Sequence, residues 1–122
     1  MHLEQGTRSE TGFTKVVLED LDEARVFMRA YPTPHDKFSS YKGWQLGRLV
    51  RKMAKGDTDT VELYVRDQSL ALAGKELRII HADNIPALYG HGHSETAEAS
   101  SERGAKIAHK IGHEIGDYLE RA

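Results

Sequence analysis

The 122-residue chain contains no cysteine, which excludes a disulfide framework, a thiolate nucleophile and cysteine-ligated zinc. Long apolar runs are missing as well, and nothing approaches the ~20 consecutive apolar residues that a membrane span requires. The first ten residues, MHLEQGTRSE, hold no apolar stretch of signal type. No membrane partner is therefore expected, a secreted precursor is not expected, and a cytoplasmic location is. At 13.7 kDa the chain is about one domain's worth of material, with one modest core. A third absence is local: residues 37–56 contain no acidic residue at all.

That local absence matters because the total charge hides it. The formal net charge is −2, yet residues 37–56 carry Lys37, Lys42, Arg48, Arg51, Lys52 and Lys55, and the acidic excess lies on either side of them. Asymmetry of this kind speaks to partners or to internal pairing rather than to fold.

Along the chain, residues 1–11 are polar and read as an arm. FTKVVL at 13–18 suits a short strand. Asp20 followed by Glu23 has the form of a capping box. The helix it opens turns Leu21, Ala24, Phe27 and Met28 inward and ends before Pro32–Thr33–Pro34. A second helix is expected from about Asp36 to Lys55, closed by Gly56. Its apolar residues Phe38, Leu46, Leu49, Val50 and Met53 fall within about 120° of one another on a helical wheel. In TVELYVR, Val61, Leu63 and Val65 alternate with polar or amphipathic residues, the mark of a half-buried strand. SLALA and ELRIIH flank Gly74–Lys75, which suits a type II′ hairpin turn. Residues 60–81 are thus expected to form an antiparallel meander. The last helix runs over 94–121. The fold expected is a single α+β domain, with three or four antiparallel strands packed on helices.

Three features could carry chemistry. The first lies on the basic helix. Arg48, Arg51, Lys52 and Lys55 share one side with Tyr41 and Trp44, opposite the apolar stripe. Cations neutralise phosphates and flat rings stack on bases, a combination used by single-stranded nucleic-acid sites. The competing reading is a solvated face, or lysines paired with the chain's own acids.

The second is a small ladder in the last helix, Gly104, Ala108, Gly112 and Gly116, beside Ile107, Ile111, Ile115 and Leu119. Three glycines there cost about 3 kcal/mol of helix propensity relative to alanine, so a close contact should offset them. The contact is either with the chain's own sheet or with a second copy in a homo-oligomer.

The third is a set of histidines. His91 and His93 have the His-x-His spacing of several zinc sites, and His109 and His113 lie one helical turn apart. Glu114 follows the second histidine of that pair, so HExxH is not formed, and no GxSxG elbow is present.

These residues lead to an expectation of a non-enzymatic, oligomeric binding or assembly protein. Its 41–55 face contacts an anionic partner, nucleic acid or nucleotide first. A divalent-metal-dependent hydrolase built on His91, His93, His109 and His113, with zinc as the candidate metal, is the alternative, and a structural subunit of a larger assembly such as a phage particle is a second; the first reading needs no cofactor.

Overall fold

The computed structural model describes residues 1–5, 12–30, 39–85 and 97–121, with the side chains of 39–45, 97 and 98 outside that description. In chain order the elements are β1 (His2–Gln5), β2 (Phe13–Leu18), α1 (Leu21–Ala30), α2 (Ser39–Ala54), β3 (Val61–Arg66), α3 (Asp67–Ile79), a 3₁₀ turn (Ala82–Asn84) and α4 (Ala97–Arg121). The strands form one antiparallel sheet in the order β1-β2-β3. With helices packed on it, the architecture is α+β, as expected.

Register decides which residues meet the core. Leu3, Val16 and Leu63 stand in one row across the sheet, Leu18 opposes Val61, and Thr14 opposes Val65. This inner face meets a core that includes Phe27, Leu46, Leu70, Leu77, Ile111 and Ile115, all fully buried. On the outer face the Lys15 ammonium lies 3.3 Å from Glu4 Oε1 and 3.8 Å from Glu62 Oε2.

Helix α1 opens as its sequence implies, but with half a capping box. The Glu23 N–H donates to Asp20 Oδ2 at 3.1 Å. The Glu23 carboxylate does not return the bond; it accepts from the Met1 ammonium at 2.8 Å. A further ion pair, Arg103 to Asp22, ties α4 to the same helix.

Two expectations for the sheet are corrected. Residues 1–11 are not simply a polar arm, since His2–Gln5 pairs with β2. The expected meander over 60–81 keeps only its first strand. SLALA and ELRIIH are consecutive turns of α3, and Gly74–Lys75 sits inside that helix rather than at a hairpin. The reason is periodicity. Leu70, Ala73, Gly74 and Leu77 are all buried, which is the i, i+3, i+4, i+7 pattern of a helix, whereas the strand expectation rested on Gly74–Lys75 as a turn.

The strand-to-helix junction has no loop, and a side-chain contact holds it. Thr14 Oγ1 donates to Asp67 Oδ1 at 2.7 Å, and the Asp67 N–H donates to Gly12 O at 2.8 Å. Thr14 is 1% exposed, so the carboxylate depends on this donor. Thr14→Val keeps the shape and removes the hydroxyl; it is expected to cost about 1.5 kcal/mol, the lower end for hydrogen bonds to charged groups. Urea unfolding of the two proteins measures it, and equal midpoints would remove the junction from the account.

The small ladder of α4 finds its partner within the chain. A Cβ built on Gly112 would stand 2.7 Å from the Arg78 backbone nitrogen and 2.9 Å from Gly74 O. Reciprocally, a Cβ on Gly74 would stand 2.8 Å from Ile115 Cγ2. Gly104 and Ala108 are also buried. Gly112 and Gly74 therefore mark a crossing of α4 over α3 within the chain, while Gly116 at the end of the ladder is half-buried, with only the tip of the Arg78 side chain near it.

Candidate anion-binding face

Helix α2 is held by one side. Leu46, Val50 and Met53 are buried, and Leu49 packs on the core at its edge. The helix stops where its sequence says it should. The Gly56 N–H donates to Met53 O and the Asp57 N–H to Lys52 O, each at 3.0 Å, with Gly56 at φ +80°. These are the paired bonds of a Schellman stop, in which glycine takes the left-handed position at least strain.

The opposite side carries Arg48, Arg51, Lys52 and Lys55, all exposed. Their positions, i, i+3, i+4 and i+7, form one row about 10 Å long at 1.5 Å per residue. Among the described residues, no acidic side chain pairs with Arg51, Lys52 or Lys55. Ion pairs among the described residues join Glu4, Asp22, Glu23 and Glu62 to Met1, His2, Lys15 and Arg103. Part of the stripe has a local use, since Arg51 and Lys52 occupy the last turn, where cations favour the helix dipole. Arg48 stands three residues before Arg51 and makes a contact of its own. Tyr41 and Trp44 lie on α2, but their side chains fall outside the described residues.

The histidines are only partly placed. His91 and His93 lie outside the described residues. His109 Nε2 is 2.9 Å from Ile80 O, a contact in which the ring nitrogen donates, and His113 is exposed. The described pair thus has one ring engaged by the backbone between α3 and the 3₁₀ turn. Among the described residues no group of three or more His, Asp or Glu side chains could hold a metal ion. No helix among them is long and apolar enough to cross a membrane.

A charged cluster on the outer sheet face was not legible in the sequence, because it needs β1 and the register. His2 Nε2 lies 3.1 Å from Glu4 Oε2, and Lys15 bridges Glu4 to Glu62. Hydrogen bonds from His2 and then Lys15 hold the Glu4 carboxyl below its usual range, and the bond to Glu4 raises Lys15. Each shift favours the charged form, so the Glu4–Lys15 pair is intact between those two titrations. It weakens as the pH falls through the Glu4 range or rises through that of Lys15.

No family model, curated protein or solved structure matches the chain.

Proposed function

We propose that the protein is a non-enzymatic binding protein whose α2 face takes a nucleic-acid strand, with phosphates on Arg48, Arg51, Lys52 and Lys55. The observation that supports this most is the exposed row of four cations on a helix anchored by its other side. Three of them lack an acidic partner among the described residues. A row of about 10 Å faces roughly six charges of a duplex, at one per 1.7 Å of axis, and fewer on a single strand. Tyr41 and Trp44, at three- and four-residue steps before Arg48 on the same helical row, add the ring chemistry that stacks on bases. A single strand is therefore favoured over a duplex.

Trp44 is the chain's one tryptophan, which supplies a direct probe. Titration with an unstructured single-stranded oligonucleotide is expected to quench its fluorescence saturably, while inorganic phosphate leaves it unchanged. An unchanged signal, with no complex seen on a native gel, would contradict the reading.

A further inference from the structure

Among the described residues β3 pairs with a strand on one side only, and its sequence is self-complementary. Among the described residues the sheet ends at β3, with β2 on one side of it and no strand on the other. An open edge is normally guarded by charged side chains, lysine above all, or by proline, a bulge or shortness; the two charges of β3, Glu62 and Arg66, are of opposite sign and so can pair with a second copy. Over its six residues, VELYVR, β3 has no proline, glycine or lysine, and it pairs with β2 in unbroken register. The opposite edge, β1, has only four residues; Lys15 lies 3.3 Å from its Glu4 and 3.8 Å from Glu62 of β3, so a Glu62 pair with a second copy would be shared with Lys15.

Side-chain order selects a partner for that edge. Glu62, Tyr64 and Arg66 all lie on the outer face and are exposed, Tyr64 by 36%. When antiparallel strands of one sequence pair about a two-fold axis, residues on the same face oppose one another only if the axis passes through a residue. With the axis at Tyr64, Glu62 of each chain faces Arg66 of the other, and the two tyrosines meet in the middle. On the inner face the same register sets Leu63 against Val65. Cross-strand pairs of opposite charge and of aromatic rings are favourable, and like charges are not. Centring the axis on Leu63 or Val65 loses both charge pairs. The helix that leaves β3 adds exposed apolar surface of its own, Leu72 at 36% and Ile79 at 76%.

We propose that two copies of the chain join through their β3 edges, antiparallel and centred on Tyr64, to make one continuous six-stranded sheet with reciprocal Glu62–Arg66 pairs. This contact is independent of anion binding by α2. It gives the expected oligomer an interface separate from the α4 ladder.

Charge exchange tests the register. In sedimentation velocity of the full chain at high micromolar concentration, the native protein is expected to be a dimer. Glu62→Arg alone and Arg66→Glu alone each oppose like charges twice and should weaken the dimer by about tenfold or more. Mixing these two variants restores both attractive pairs and should restore the dimer, as should the double exchange in one chain. Circular dichroism checks that each variant is folded. Should Arg66→Glu unfold with loss of its contact to the Phe13 ring, 6.0 Å away, then Glu62→Lys against Glu62→Gln decides, because reversal must weaken the dimer more than neutralisation does. A monomeric native protein, or a dimer indifferent to these exchanges, would overturn the proposal.

Discussion

Replacing Gly112 with alanine is expected to destabilise the protein by about 2 kcal/mol or more, while the same change at Gly116, one turn on, stabilises it slightly. Both substitutions gain about 1 kcal/mol of helix propensity. They differ in what the new methyl meets. At 112 the obstacles are backbone atoms, Arg78 N at 2.7 Å and Gly74 O at 2.9 Å, and neither helix can yield without moving its neighbours. Overpacking costs about 1–3 kcal/mol and sometimes more; against backbone on both sides it takes the upper end, about 3 kcal/mol, which leaves about 2 kcal/mol after the propensity gain. At 116 the nearest atoms are Arg78 Nη1 at 3.4 Å and Cζ at 3.7 Å, the far end of a flexible side chain. Thermal unfolding should place Gly112→Ala about 8 °C below the native protein, with Gly116→Ala at or above it. Equal shifts would mean that α3 and α4 do not cross at Gly74 and Gly112.

The second large effect concerns binding. Reversing Arg48 and Arg51 together takes the α2 row from four positive charges to a balance of zero. It is expected to weaken oligonucleotide binding by about a hundredfold or more, equivalent to about 2.7 kcal/mol. Folding should respond less than binding, because both side chains are exposed; the loss is limited to the contact that Arg48 makes and to the place of Arg51 in the last turn, worth about 0.3–1 kcal/mol. The contrast with Gly112 is useful: one substitution changes stability by its packing, the other changes binding by its charge.

The parts of the fold that sequence reasoning recovered are those where one periodicity runs unopposed. FTKVVL and VELYVR are β2 and β3, the Asp20 cap opens α1, and the stop at Gly56 closes α2. The two misread elements are instructive. In β1 only Leu3 is apolar, so HLEQ has no alternation to read, and its place comes from backbone pairing and from the Lys15 bridge. In α3 the alanines and Gly74 made a helix resemble two strands around a turn. The glycine there serves a helix crossing, for which sequence has no local sign until the matching gap at Gly112 is known. The cationic row of α2 was readable because a helix and its apolar stripe fix the opposite face. Glu62, Tyr64 and Arg66 were each visible in β3, but their place at the sheet's edge followed only from the strand order.

The central claim, that the α2 row binds nucleic-acid phosphates, is tested most directly by the salt dependence of oligonucleotide binding for the native protein and for Arg48→Glu/Arg51→Glu. Four phosphate contacts on a single strand give a slope of log K against log salt of about −2.8, so affinity should fall about fiftyfold between about 50 mM and 200 mM salt. The variant should bind weakly with a slope near zero. A native slope near zero, or the same slope in both proteins, would contradict the account.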